Sequence, residues 1–177
     1  MSRKPLSFNY IILMVFLQVL VGIWGGTGVK AAEVTLSEAK KTAIVRQCDA
    51  IREELVNLQH ADSRARVYLG RYYETLLSDY ITPLNVRLVE NNLANSGLID
   101  NQENFARQRT TFVDDFITYQ RELEGLVAMD CKAEPGQFYA KLTEVRAGRK
   151  KVAESVTKLA TLAKKQIELA PKLEVKK

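Results

Sequence analysis

Apolar residues recur along most of the chain at alternating steps of three and four, the spacing of an amphipathic helix in a coiled-coil-like bundle. The period-two alternation of a half-buried strand does not occur in these stretches. The first stripe comprises Ile44, Cys48, Ile51, Leu55, Leu58, Asp62, Ala65, Leu69, Tyr72 and Leu76; the second Phe105, Phe112, Phe116, Tyr119, Leu123 and Leu126; the third Phe138, Leu142, Val145, Arg149, Val152, Val156, Leu159 and Ala163, with Leu162 and Ile167 beside it. Because the connections between stripes are short, we predict an all-α fold, an elongated antiparallel three-helix bundle with one extra short helix.

Capping residues and prolines predict where the first helices begin and end. The segment Thr35–Glu38, with the sequence TLSE, is a capping box for the first long helix. That helix is expected to end near Asp79, because Pro83 disfavours a helical residue before it and lacks an N–H. The short helix is predicted over Leu84–Asn95, with Gly97 as the left-handed residue of a Schellman stop.

Similar signals predict where the other two long helices begin and end. The segment Asp100–Glu103, with the sequence DNQE, predicts the start of the second long helix, which should end near Met129. Pro135 suits the first turn of the third long helix. This helix should end by Ala170, before Pro171, and the basic tail that follows should fray.

The positions of the two cysteines predict a disulfide. If the first two long helices form an antiparallel hairpin, its arms are Cys48–Tyr80 and Asn101–Cys131. At 1.5 Å per residue each arm is about 45 to 48 Å long, so the two cysteines reach the same level. A Cys48–Cys131 bridge would pin the open end of the hairpin and contribute roughly 4 kcal/mol to stability by restricting the unfolded chain.

The same count predicts which tyrosines are buried. It pairs Tyr72 with Phe105 and Tyr68 with Phe112 across the hairpin. Tyr72 then belongs to the core seam. Tyr73 lies about 100° further round the helix and is expected to be exposed.

The first thirty-one residues have the order of a secretory signal. Arg3 and Lys4 precede the apolar run Ile11–Trp24, and small residues follow. Cleavage is expected after Ala31; the alternative is an uncleaved membrane anchor, although the apolar run is short against the ~20 residues that cross a bilayer. Either way, the bundle domain over residues 32–177 is expected outside the cytoplasm, as a secreted, periplasmic or surface-associated protein.

Positive charge is concentrated in the last part of the chain. Residues 32–145 hold 13 basic and 18 acidic residues, whereas residues 146–177 hold 10 basic and 3 acidic, a net charge of +7. A heptad spacing aligns four lysines of the third helix, and three more cations lie beside them: Lys151, Lys158, Lys165 and Lys172, with Arg149, Lys150 and Lys164. This stripe is either a solvated face that keeps the helix soluble or a surface that binds anionic lipid or wall polymer. Export and a nearly neutral domain argue against nucleic acid as the partner.

The residue types that carry catalysis are sparse, so we expect a non-enzymatic protein with no catalytic residues, metal or cofactor. The chain has a single histidine, His60, and no glycine-rich phosphate loop. Adjacent acids such as Glu53 and Glu54 face different directions on a helix. Asp62 and Arg149 stand on predicted seams, where a buried charge is costly unless paired. Each either extends its charged end to solvent or meets a neighbour such as Arg66 or Glu53, or it sets helix register or marks a polar pocket between helices.

Arginine and tyrosine, the residue types that dominate binding hot spots, are concentrated in the second half of the first helix. The predicted contact patch comprises Arg64, Arg66, Tyr68, Arg71 and Tyr73. We therefore expect a structural or adaptor bundle of the cell envelope that binds another envelope component, with self-association also open. The alternative is a ligand-sensing or holdase-like bundle with a cavity near Asp62.

Overall fold

The structure, a computed structural model, describes residues 36–93 and 96–170, and in these residues all regular structure is helical. The all-α prediction is confirmed. The elements are α1 (Glu38–Thr75), a π-helical segment (Leu76–Ile81), α2 (Thr82–Glu90), α3 (Ser96–Ala128) and α4 (Pro135–Leu169). The long helices pack side by side, with α3 antiparallel to both α1 and α4. The predicted signal or anchor over residues 1–31 lies outside the described residues.

The break predicted before Pro83 is wrong, because the chain stays helical from α1 into α2. Thr75, Leu76 and Thr82 all have right-handed helical backbone angles, and the Thr82 N–H donates to the Leu77 carbonyl, five residues back. Proline has no N–H, and its ring collides with the carbonyl four residues earlier in an α-helix. The wider π-helical turn just before Pro83 accommodates the ring without ending the helix.

The stop after α2 is a Schellman motif, but at Asn92 rather than Gly97. Asn92 has a φ of 56°. Its N–H donates to Val89 O at 3.0 Å, and the Leu93 N–H donates to Leu88 O at 2.8 Å. Asparagine tolerates the left-handed region better than most residues, so the short helix ends at Glu90 and not at Asn95.

Other predicted helix ends differ by a turn or are confirmed. Gly97 lies inside α3, which begins at Ser96, one turn before the predicted start at Asp100. The N-cap of α1 is Ser37, and Thr35 of the predicted capping box lies outside the described residues. The start of α4 at Pro135 and its end before Ala170 are confirmed.

The core follows the three predicted stripes closely. All six apolar positions of the second stripe are buried, and those of α4 from Phe138 to Leu159 are buried or half-buried. An edge-to-face aromatic series runs through the centre, with ring centroids 5.4 Å apart for Tyr73–Phe112, 5.5 Å for Phe112–Phe116 and 6.0 Å for Phe116–Tyr119. Such pairs add to the burial of their area.

Tyr72 and Tyr73 have the reverse of the predicted roles. Tyr73 is 4% exposed and packs on Phe105 and Phe112, whereas Tyr72 is 48% exposed. At 3.6 residues per turn, Tyr73 lies almost seven whole turns beyond Cys48 and returns to its face, while Tyr72 falls about 120° away. The prediction kept a strict heptad, which is correct only if the helix supercoils enough to absorb the drift of about 20° per heptad.

The prediction for the last turns of α4 is also wrong in one respect. Ile167, predicted beside the apolar stripe, is 77% exposed, and the neighbouring Gln166 is 3% exposed in the interior. Gln166 follows Leu159 by one heptad, so a polar residue continues the buried stripe at this end of the bundle.

The predicted pairing of the cysteines is confirmed. Cys48 on α1 and Cys131, just beyond α3, form a disulfide with Cα atoms 5.7 Å apart. In the loop that follows, the Asp130 carboxylate accepts the N–H groups of Lys132 and Ala133 at 2.8 and 3.2 Å, and these bonds lower the pKa of Asp130. This Asx turn leads the chain from the bridge into α4.

Among the described helices, none combines the length and the apolar content needed to cross a bilayer.

Candidate functional site

The two charged residues on the predicted seams bind each other across the bundle. Arg149 donates from Nε to Asp62 Oδ2 at 3.0 Å and from Nη2 to Oδ1 at 3.2 Å. The Tyr119 hydroxyl donates to the same Oδ2 at 2.6 Å. The Asp62 side chain is 13% exposed and that of Arg149 49%. One carboxylate therefore joins α1, α3 and α4, and the expected pairing with Arg66 or Glu53 is wrong.

In this charged layer of Asp62, Tyr119 and Arg149, the pKa values of Tyr119 and Arg149 are both raised, so both stay protonated. Burial, followed by the bond to Asp62, raises the pKa of Tyr119, which remains a protonated donor. Burial by itself lowers the pKa of Arg149, but the hydrogen bond and charge of Asp62 outweigh it, and the pKa is raised. The Asp62 oxygens accept from Tyr119 and Arg149, so the arrangement suits the fixing of helix register better than proton transfer.

A second polar layer, built from amides, lies at the opposite end of the bundle from the disulfide. Gln166 Nε2 donates to Asn85 Oδ1 at 2.6 Å, and Asn101 Nδ2 donates to Gln166 Oε1 at 2.8 Å. Asn85 Nδ2 donates to Gln102 Oε1 at 2.8 Å and to the Leu98 carbonyl at 3.1 Å. These bonds link α2, α3 and α4, and Asn85, Asn101 and Gln166 are all at most 3% exposed. We call them, with Gln102, the amide layer.

Sequence reasoning missed the amide layer, although a signal for it existed. Gln166 stands one heptad after the buried Leu159, and Asn101 stands four residues before the buried Phe105. Polar residues at core positions of a helical pattern are expected to bind one another. The predicted stripe of the second long helix instead starts only at Phe105, and that of the third stops at Ala163, so neither includes its buried amide.

The side of α1 that points away from the core carries large apolar side chains. Val67 is 57% exposed, Tyr68 60% and Tyr72 48%. Arg64 and Arg71 lie at one helical turn on either side of Tyr68, and both are exposed. We call this set, Arg64, Val67, Tyr68, Arg71 and Tyr72, the α1 outer face.

The α1 outer face contains a shallow groove and a positive charge. Four of its members line the groove with Ser63, and the volume is about 480 Å³. No ion pair to Arg64 or Arg71 occurs within the described part of the chain. Between Leu55 and Tyr73 the sole acidic residue is Asp62, which faces inward to Arg149. The exposed side chains of this stretch of α1 are thus apolar and cationic, and the next carboxylate, Glu74, pairs with Arg109 of α3.

The predicted contact patch is only partly assembled. Arg64, Tyr68 and Arg71 line the same groove. Arg66 is exposed, but its position two residues before Tyr68 directs it to the far side of the helix. Tyr73 is buried among aromatic rings and cannot contact a partner. Tyr72 takes its place on the surface.

Some cations of the predicted basic stripe of α4 lie close to carboxylates, and others do not. Arg149 is engaged by Asp62, while Lys150 and Lys164 lie 3.9 and 3.6 Å from Glu154 and Glu168. Lys151, Lys158 and Lys165 are exposed, with no ion pair to any described residue. Lys172 lies outside the described residues. Three of the seven cations therefore remain available on the described surface.

Side chains that could bind a metal ion are not clustered in the described part of the chain. Within residues 36–93 and 96–170, no group of three or more His, Cys, Asp or Glu side chains is arranged to hold a metal ion. The best-defined candidate site in these residues is the α1 outer face. In comparisons with known proteins, no protein-family model, curated protein or solved structure matches the chain.

Proposed function

We propose that the protein is an exported, non-enzymatic bundle of the cell envelope that acts as a structural or adaptor protein, binding another envelope protein through the α1 outer face. The observation that carries this proposal is the exposure of Val67, Tyr68 and Tyr72 on the outer face of α1. Large apolar side chains grouped on a surface are typical of protein interaction sites.

The chemistry of this face indicates what the partner presents. Arg64, Tyr68 and Arg71 are spaced by four and three residues, so they form a ridge along one helix. A partner helix laid along this ridge would bury the tyrosine ring against apolar side chains. The unpaired arginines favour carboxylates at its rim. We therefore propose an acidic, amphipathic helix of another protein as the occupant.

Two features support a location outside the cytoplasm. The Cys48–Cys131 disulfide persists in oxidising compartments and is rare in reducing ones. The order of charged, apolar and small residues over residues 1–31 is typical of a secretory signal or anchor.

The alternative, a ligand-sensing or holdase-like bundle, has less support. Its basis was an expected pocket near Asp62. That carboxylate instead accepts hydrogen bonds from Tyr119 and Arg149. The groove on α1 is open and shallow, which suits a protein surface better than an enclosed small ligand.

Site-specific photocrosslinking tests the proposal in intact cells. The full chain would carry a photoreactive phenylalanine analogue in place of Tyr68, or in place of the exposed Thr143 of α4 as a control. We expect a discrete adduct with a second protein from position 68 alone. The combined changes Arg64→Glu and Arg71→Glu should reduce it about tenfold or more, since each charged hydrogen bond contributes about 1.5–3 kcal/mol.

A charge-matched variant separates this contact from general electrostatics. Lys40→Glu with Arg46→Glu makes the same charge change at exposed positions near the start of α1. This control should leave the adduct intact. An adduct with a second copy of the chain, equal yields from positions 68 and 143, or equal loss in the two charge variants would refute the proposed contact.

A further inference from the structure

A second groove runs between α3 and α4, away from the α1 outer face. Its volume is about 410 Å³. Its lining residues are Asn104, Arg107, Gln108, Thr111, Thr157, Lys158, Thr161 and Leu162. From Asn104 to Thr111 it extends about 10 Å along the helix axis. It is lined by two cations and several hydroxyl and amide groups, without a carboxylate.

Both cations of the groove can bind an incoming anion. Lys158 is exposed and has no ion pair within the described residues. Arg107 donates from Nη2 to Asn104 Oδ1 at 2.6 Å, and its Nη1 lies 3.7 Å from Glu103. The Arg107 and Glu103 side chains are 68% and 65% exposed. Such an exposed pair is weak, so it leaves the guanidinium free to exchange partners.

The hydroxyl groups of the groove are oriented as acceptors. Thr111, Thr157 and Thr161 each donate to the carbonyl four residues earlier, at 3.2, 3.0 and 3.0 Å. Their hydrogens are committed to the helix backbone. The remaining lone pairs can accept bonds from a ligand that carries hydroxyl groups of its own.

One buried donor in the groove lacks a partner. Gln108 Nε2 is screened from solvent and makes no hydrogen bond to any described residue. A buried, unpaired amide nitrogen costs free energy and is uncommon in folded proteins. The Gln108 side chain is half-buried, so a rotation that brings Nε2 to the groove surface would let it donate to a ligand oxygen.

We propose that the α3–α4 groove binds an acidic polysaccharide, a sugar chain that carries carboxylates. Its anionic groups would pair with Arg107 and Lys158, and its hydroxyls would donate to the threonines. Lys151 and Lys165 lie one heptad before and after Lys158, about 10 Å away in each direction, so a long chain continues onto them. A recessed site with hydroxyl acceptors fits a polysaccharide better than a flat bilayer, for which exposed charge alone would suffice.

The test is calorimetric titration of the full chain with polygalacturonate at low salt, with uncharged dextran in parallel. Saturable binding to polygalacturonate alone is expected, weakening as salt screens the charges. Arg107→Gln with Lys158→Gln should weaken binding about tenfold or more, because two charge-assisted contacts are lost. Lys40→Gln with Arg46→Gln removes one lysine and one arginine from α1, and should have little effect.

A neutral variant tests the groove independently of charge. Thr157→Val with Thr161→Val keeps the shape and all the cations, and should weaken polygalacturonate binding about threefold or more. Circular dichroism would verify the fold of each variant. Equal losses in the two charge variants, unchanged binding in the valine variant, or binding to anionic lipid vesicles but not to polygalacturonate would overturn the proposal. The site shares no residue with the α1 outer face, so its failure leaves the adaptor function untouched.

Discussion

Replacing Arg149 with leucine should destabilise the bundle, because the mostly buried Asp62 carboxylate would lose its opposite charge. The Asp62 carboxylate accepts three bonds, and two of them come from Arg149. Because the Asp62 side chain is only 13% exposed, water replaces those donors poorly. Tyr119 remains as its single partner.

The magnitude follows from the exposure of both partners. Charge-assisted hydrogen bonds contribute about 1.5–3 kcal/mol each, so two fully buried ones would be worth about 3–6 kcal/mol. The Arg149 side chain is 49% exposed, and solvent screening reduces the interaction substantially. We expect Arg149→Leu to lower the free energy of unfolding by about 2 kcal/mol. Asp62→Leu should cost less, about 1 kcal/mol, because Arg149 can turn to water while Tyr119 loses its acceptor.

A double-mutant cycle measures the pair directly. Urea unfolding would be followed by circular dichroism for the wild type, both single variants and the combined Asp62→Leu, Arg149→Leu variant. The combined variant should lose only about 1 kcal/mol, the cost of a Tyr119 hydroxyl without its acceptor, because no charge is left unpaired. The coupling energy should therefore be about 1.5–3 kcal/mol. Additive losses, with a coupling energy below about 0.5 kcal/mol, would refute the argument that these residues hold each other in place.

Three further outcomes can be measured by the same unfolding assay. Cys48→Ser with Cys131→Ser should lower the free energy of unfolding by roughly 4 kcal/mol, because the bridge spans 83 residues; equal stability with and without the bridge would contradict this. Tyr73→Ala should lower the free energy of unfolding by about 3–5 kcal/mol, and the neighbouring Tyr72→Ala by less than about 1 kcal/mol. Equal losses would instead support the strict heptad, in which Tyr72 faces the core. Burial, followed by the charge of Tyr72, raises the pKa of Tyr73 from 10.0 to about 12. The resulting stability is fully present below pH 10 and is lost as the pH rises towards about 12, a loss that Tyr73→Phe should reduce.

The helical architecture and the disulfide could be predicted because they depend on distances that the sequence fixes. The stripe from Phe105 to Leu126 specifies one face of one helix, whatever it packs against. The distance of each cysteine from the hairpin turn, measured along the helix axis, depends only on the helix rise and on the position of the turn. The predicted turn is too long, since α2 continues to Glu90 and α3 begins at Ser96, but both arms lengthen and Cys48 stays opposite Cys131.

The positions that sequence reasoning placed wrongly depend on geometry that a local pattern does not contain. Pro83 is a strong helix breaker, and only the π-helical segment before it lets the helix continue. Gly97 and Asn92 are both able to adopt a left-handed conformation, and the sequence does not rank them. Whether Tyr72 or Tyr73 faces the core depends on how far α1 supercoils, which is a property of the whole bundle.

Candidate sites were harder to predict than the fold, because they require relations between helices that are distant in sequence. Asp62 and Arg149 were both recognised as unusual, but they are 87 residues apart and on parallel helices. Pairing them requires the register of α1 against α4, which the hairpin count for α1 and α3 does not provide. The groove that contains Arg107 and Lys158 likewise exists only after α3 and α4 are packed.

Three of the cross-links between the described helices bear on how α1 presents its outer face. The disulfide joins α1 to the end of α3, the charged layer joins its middle to α3 and α4, and the amide layer joins the continuing α2 to the same two helices. Apolar seams alone tolerate small sliding movements, whereas paired polar groups lose their bonds when the register shifts. Tyr68 and the two arginines beside it are therefore held on a helix fixed at both ends and at its centre. A partner that binds there pays little to order the backbone, because preorganisation removes much of the entropy cost of association. In the proposed contact the charged layer would act without touching the partner, and we expect the Arg149→Leu variant to loosen the α1 outer face as well as the fold.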